Sequence, residues 1–184
     1  MRYALVTLVL AMGLITLAAR AQDATPQDQA FFDKQIGKLV KLEPHPLTGD
    51  ALAKIFTAKF FKVNVSIGAD RGGTTLVVAR SGDNLIEVST PGTDADMPDL
   101  KALLKPDFKL KADADGKTFQ AALDLLYPID ERFDKEDLKA KAVRHADTEW
   151  TFIRGKFFDH FKGLVVKTDA TGAITNIKYS LDIK

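Results

Sequence analysis

Three histidines, His45, His145 and His160, are the side chains best placed to do chemistry near neutral pH, because imidazole titrates there without perturbation. In "VRHADTE", His145, Asp147 and Glu149 alternate, and alternate residues of an extended strand share one face. Such a trio could hold a transition metal. The "ADT" between them also reads as a hairpin turn, which would scatter the three, and no HExxH spacing is present. His160 lies beside Asp159 in "RGKFFDHFKG". A catalytic histidine needs a nucleophile and an orienting acid gathered in space. On a strand Asp159 would point to the face opposite His160. There is no cysteine to act as a thiol nucleophile, and no GxSxG elbow presents a serine. The stretch therefore reads as core and turn, with His160 near the surface. His45, between Pro44 and Pro46, reads as an exposed loop spacer.

The remaining motifs fail on spacing. A calcium loop over "KADADG" would place Gly116 sixth, but then Lys111 is first and Ala122 twelfth, where acidic ligands are required. The stretch is expected to be a solvated turn that caps the next helix. "TDADMPD" fails in the same way. Gly72-Gly73 has no lysine and no following helix, so it reads as a hairpin turn and not a phosphate loop. The sequon "NVS" at Asn64 to Ser66 falls inside a predicted strand. Lysines and phenylalanines interleave in "KIFTAKFFKV", which reads as an amphipathic helix running into a strand rather than a membrane-surface segment. These patterns assign no catalytic residue, no metal and no cofactor.

Elements must position whatever site exists, and the first of them is an export signal. Arg2 opens "MRYALVTLVLAMGLITLAARAQD", an apolar run follows, and Ala19-Arg20-Ala21 sets small residues at −3 and −1. Residues 1–21 are expected to be a signal peptide, since the apolar run is shorter than the roughly 20 residues that cross a bilayer. The mature chain, Gln22–Lys184, would be periplasmic or secreted and would make no stable membrane insertion. With no cysteine its stability must come from an ordinary core. Removing Arg2 and Arg20 leaves 24 basic against 25 acidic side chains, a formal charge of −1. The charges are interspersed, and no electrostatic footprint for nucleic acid is expected.

The hydrophobic period then sets the order of elements. "TPQDQAFFDKQIGKLVKL" predicts a helix with Thr25 as N-cap, Pro26 at N1, and Phe32, Ile36, Leu39 and Val40 on one face. "EPHP" is expected to break it. "TGDALAKIFTAKF" predicts a second helix with Leu52, Ile55, Phe56 and Phe60 aligned. From Phe61 the period becomes two, and "FKVNVSI", "TTLVVAR" and "LIEVST" predict a three-stranded meander. "PDLKALL" reads as a short helix, "FKLKA" as a short strand and "DKEDLKAKA" as another short helix. "KTFQAALDLLY" carries the clearest stripe, Phe119, Ala122, Leu123, Leu126 and Tyr127, ended by Pro128. "AVRHA", "EWTFIRGKF", "KGLVVKTD" and "AITNIKYSLDI" predict strands, the last two joined around "DATGA".

Amphipathic helices packed on antiparallel meanders give an α+β class, expected as a single domain over 22–184. Cystatin-like and nuclear-transport-factor-like folds share this general architecture. "TLVVARSGDNLIEV" and "GLVVKTDATGAITNI" look alike. A two-fold pseudo-repeat over about 48–90 and 117–183 is one reading; the common pattern of amphipathic hairpins is the other. The functional expectation is an exported, non-enzymatic protein that binds a small ligand or a partner protein in a concave apolar site. Phe31, Phe108, Phe133 and Tyr127 do not share one obvious stripe, and Tyr127, Phe108 and Phe133 are the candidate ligand-binding residues. The alternative is a periplasmic hydrolase or isomerase using His145, Glu149 and His160, which requires those side chains to converge in one cleft.

Overall fold

The computed structural model describes residues 25–36, 41–66, 74–129, 143–157 and 160–183. The expected signal peptide, Ile67, Phe133, the expected helix at "DKEDLKAKA", Phe158 and Asp159 lie outside the described residues. The fold is α+β, with two antiparallel sheets and short helices. The chain forms two compact units that do not follow chain order. Unit 1 comprises the chain up to Leu47 and Lys59–Glu87, and unit 2 comprises Thr48–Ala58 and Val88–Lys184.

In unit 1, helix α1 (Pro26–Ile36) begins where Thr25 and Pro26 signal it. Thr25 Oγ1 accepts the Asp28 N–H at 3.2 Å and donates to Asp28 Oδ2 at 2.7 Å, while the Thr25 N–H reaches that oxygen at 3.4 Å. This is a capping box with aspartate in place of glutamate. Strands β1 (Lys41–Leu47), β2 (Lys59–Ser66), β3 (Thr74–Ser81) and β4 (Asn84–Glu87) follow and are hydrogen-bonded in that order. Alternation gathers Phe61, Val63, Val65 and Val78 with Phe31 and Phe32 of α1 in one buried cluster. Phe32 meets Phe61 edge-on with ring centroids 5.3 Å apart.

Strand β1 departs from expectation, since "EPHP" is a strand and not a break. A proline holds the residue before it extended. An edge strand tolerates proline because one of its sides needs no donors. Pro44 and Pro46 lie opposite Val63 and Phe61 on β2. Helix α2 (Asp50–Ile55) is shorter than the pattern suggested. Phe56 is already extended and bridges Leu104, and Phe60 lies on β2. Pairing of Lys59 with Arg80 begins the sheet there and takes residues that a longer helix would need.

Unit 2 contains α2, β5 (Ala95–Asp96), α3 (Pro98–Ala102), α4 (Asp113–Leu126), β6 (Val143–Ala146), β7 (Glu149–Phe157), β8 (His160–Thr168) and β9 (Ile174–Ile183). Its sheet runs β5-β9-β8-β7-β6. The rows Trp150–Val166–Ile177 and Phe152–Leu164–Tyr179 cross β7, β8 and β9, and all six residues are buried. The stripe of α4 is buried as its period requires: Phe119, Ala122, Leu123, Leu126 and the following Tyr127. Phe119 and Phe152 bring the helix and sheet together, with ring centroids 5.0 Å apart.

Two local expectations resolve differently. "KADADG" does cap α4, from inside its first turn: the Asp115 carboxylate accepts the N–H groups of Lys111 at 3.0 Å and Ala112 at 2.8 Å. "FKLKA" is not a strand. The Leu110 N–H donates to the Gly172 carbonyl at 2.8 Å, which ties the segment to the β8–β9 turn instead of a ladder. Gly172 sits in that turn at φ 80, where a side chain would be strained.

Candidate functional site

The helix-facing side of β7 reads Trp150, Phe152, Arg154, and strand alternation gives all three the same face. Two of these positions hold rings in the core of unit 2. The third holds a guanidinium whose side chain is only 4% exposed. The β7–β8 register shifts between Ile153 and Gly155, so the ladder is irregular where Arg154 enters.

Helix α4 supplies the partners at the spacing of one face. Gln120 and Asp124 are four apart, and Tyr127 ends the last turn. Arg154 Nη1 donates to Asp124 Oδ1 at 2.5 Å and to the Tyr127 carbonyl at 3.4 Å. Gln120 Nε2 donates to the same Asp124 oxygen at 3.0 Å. The cation also lies against the C-terminal end of the helix, where the backbone dipoles favour positive charge. Burial lowers the guanidinium pKa from its ordinary value, and the hydrogen bond and charge of Asp124 offset part of that. Three buried polar atoms of this group have no hydrogen-bond partner among the described residues: Nε and Nη2 of Arg154, and Oε1 of Gln120.

Tyr127, a sequence candidate, borders the cluster. Its ring is buried, its hydroxyl donates to the Val88 carbonyl, and burial raises its pKa. Phe108 is half-buried and stacks on Phe119 at 6.0 Å. Phe119 lies eight residues before Tyr127, about 12 Å along the helix. Phe31 serves unit 1, where its ring packs edge-on against Phe32 and lies under Arg80 with 4.0 Å from Cζ to the ring centre.

The alternative trio is not gathered. Glu149 and His145 lie where β6 turns into β7, since His145 pairs with Trp150 and Ala146 with Glu149. His160 pairs with Phe157 at the far end of β7, about 26 Å from Glu149 by strand rise. The side chains of Glu149 and His160 are 50% and 57% exposed. Glu149 faces Lys167 at 4.0 Å, and His160 Nδ1 meets Asp182 Oδ1 of β9 at 3.0 Å. Asp182 is a partner that local reading of "FFDHF" could not supply. The expected turn at "ADT" is present, with Asp147 at φ 50, and no set of three or more metal-ligating side chains occurs among the described residues. His45 is on β1 and not in a loop, and its Nε2 lies 3.3 Å from Asn64 Nδ2. Asn64 in turn accepts from Thr75 Oγ1 at 3.0 Å, so the sequon asparagine is engaged within its sheet.

The residues missed by sequence reasoning are Gln120, Asp124 and Arg154. The available signal was the arginine itself, at a position where alternation after Trp150 and Phe152 calls for an apolar side chain. No family model, no curated protein and no solved structure matches the chain, so the cystatin-like and nuclear-transport-factor-like comparison rests on architecture alone.

Proposed function

We propose that this chain is an exported protein, periplasmic or secreted, that binds a small ligand or a partner protein and carries out no reaction of its own. One observation supports the binding reading above others. Arg154 is held inside an apolar core with one nitrogen satisfied and the Nε–Nη2 edge unfilled. A buried donor without an acceptor costs about 1–3 kcal/mol, and more when charged, so selection for stability alone would favour an apolar side chain there. Export is supported by the positive start, the apolar run and Ala19-Arg20-Ala21.

The test is fractionation of the full chain expressed in a Gram-negative bacterium, followed by native mass spectrometry. The expected result is a periplasmic form beginning at Gln22, or within a few residues of it, carrying a reproducible adduct or a bound protein. A cytoplasmic product beginning at Met1 would defeat the export reading, and a bare mature chain would defeat the binding reading.

A further inference from the structure

We propose that His45, Asn64 and Thr75 form a proton-driven switch across strands β1, β2 and β3 of unit 1, in which one proton on His45 turns the Asn64 amide and reverses the Thr75 hydroxyl. The register sets Asn64 opposite both Glu43 and Thr75, and His45 opposite Lys62, so these five side chains share one face of the sheet. Pro46 holds the backbone of His45 extended, which fixes where the ring leaves the strand. Thr75 Oγ1 donates to Asn64 Oδ1 at 3.0 Å, so the amide oxygen faces β3 and the NH2 group faces β1. That group lies 3.3 Å from His45 Nε2 and can only donate. Nε2 must therefore offer a lone pair, and the neutral ring carries its proton on Nδ1. Nδ1 is buried and has no hydrogen-bond partner among the described residues, so the tautomer is set from the Asn64 side. An imidazolium cannot occupy this arrangement. It carries N–H on both nitrogens, and Nε2–H would meet the NH2 group of Asn64, donor against donor. A half turn of the amide removes the conflict at little steric cost, because its oxygen and nitrogen are nearly equal in size. Oδ1 then accepts from Nε2–H, Nδ2 donates to Thr75 Oγ1, and the Thr75 proton turns away from Asn64. The proton comes from solvent, which half-buried His45 still meets, and no other covalent bond changes. The charged neighbours on this face, among the described side chains, are Glu43 and Lys62, one of each sign. Helix α1, with Asp28, Asp33 and Lys34, packs on the opposite face through Phe31 and Phe32. The switch needs no ligand and operates whatever the chain binds.

The test is nuclear magnetic resonance of the isotope-labelled mature chain, titrated from about pH 8 to about pH 5, the range in which imidazole changes charge. The nitrogen shifts of the ring report which atom carries the proton, and loss of one signal set in His45→Gln assigns His45 apart from His145 and His160. At the upper end His45 is expected as the Nδ1–H tautomer, although a neutral histidine in water favours Nε2–H. As the pH falls, the side-chain NH2 signals of Asn64 and the methyl signal of Thr75 are expected to move with the same midpoint as the ring. Thr75→Val keeps the shape of the side chain and removes the donor that holds Oδ1 toward β3. It is expected to fold, to return the neutral ring to Nε2–H, and to abolish the movement of the Asn64 signals. Thr75→Ser keeps the hydroxyl and is expected to behave as the parent. Glu43→Gln is expected to retain the coupled movement, which separates titration of His45 from any effect of the neighbouring carboxylate. Backbone amide spectra establish that each variant is folded. An Nε2–H tautomer at pH 8 in the parent chain would overturn the proposal. So would Asn64 signals that stay fixed while His45 titrates, a Thr75→Val protein that titrates as the parent does, or loss of the coupling in Glu43→Gln.

Discussion

At the scale of the residue, charge placement decides which polar groups matter for stability. Asp169 Oδ1 accepts from the Thr171 N–H and hydroxyl, each at 2.7 Å, and from the Ala173 N–H at 3.0 Å. These bonds, with the Thr171 side chain first, hold its pKa below the ordinary 3.8. Asp94 is lowered chiefly by the Leu181 N–H, at 2.7 Å, with Lys178 and Ser180 adding to it. A carboxylate with a depressed folded pKa contributes stability above its unfolded value and loses it as pH falls through the folded one. The melting temperature should therefore drop as pH is taken from about 5 to below the ordinary carboxylate value of about 3.9. Asp169→Asn should show a smaller drop over that window, and an identical profile would refute the assignment. Asp124 behaves differently because of what it covers. By exposure it resembles a solvated helix residue, and spacing on α4 alone predicts that Asp124→Ala costs under about 0.5 kcal/mol. Its pairing with Arg154 instead predicts a cost of about 1–3 kcal/mol, because a buried cation is left without its counter-charge. Chemical denaturation reads the difference directly. This was not legible in the sequence, since Asp124 and Arg154 are thirty positions apart and no local pattern couples them.

At the scale of the element, most periodic segments were legible, including the short α3, β4 and β6, and the misses are places where tertiary context decides. Helix α4 and strands β2, β3, β7 and β9 follow their hydrophobic periods because one face of each must enter a core. Strand β1 carries two prolines, and only its place at a sheet edge makes it a strand. Helix α2 stops early because tertiary pairing claims the next residues, an effect outside any local window. Within α4, Gly116 shows how packing overrides propensity. A Cβ there would collide with Trp150 Cζ3 of β7. Gly116→Ala should gain about 1 kcal/mol of helix propensity. It should lose about 1–3 kcal/mol to forced displacement of the indole. The net expectation is a lower melting temperature, with a blue- or red-shifted Trp150 fluorescence reporting the displaced ring; a more stable variant with unchanged fluorescence would contradict the close approach. Leu123→Ala, fully buried in the same helix, should cost about 2–5 kcal/mol.

At the scale of the whole molecule, each unit holds four consecutive strands paired in sequential order, preceded in the chain by its longest helix: β1 to β4 after α1 in unit 1, and β6 to β9 after α4 in unit 2, which also contains α2, α3 and β5. The likeness between "TLVVARSGDNLIEV" and "GLVVKTDATGAITNI" falls on β3–β4 and β8–β9, the last hairpin of each meander. The spans 48–90 and 117–183 do not coincide with these units, because residues 48–58 belong to unit 2 although they lie between β1 and β2. The interleaving has an energetic consequence. Leu52, Ile55 and Phe56 are each no more than 4% exposed. Phe56 packs near Phe119 with ring centroids 6.5 Å apart. Backbone bonds tie the segment to its unit, from Lys105 N–H to the Ile55 carbonyl at 2.8 Å and from Thr57 N–H to the Leu103 carbonyl at 2.9 Å. Burying each of these three apolar side chains contributes about 1.5–3 kcal/mol. Together they approach the whole folding margin of a domain, about 5–15 kcal/mol. A fragment spanning 88–184 should therefore lack a cooperative thermal transition, although it holds every strand of its sheet. A fragment of 48–184 with residues 59–87 replaced by a flexible linker should regain one, because the linker adds back the three side chains and asks little in closure entropy. Circular dichroism melts of the two fragments provide the comparison. A sharp transition in the 88–184 fragment would show that α2 is dispensable to the core of unit 2, and the interleaved assignment of 48–58 would have to be abandoned.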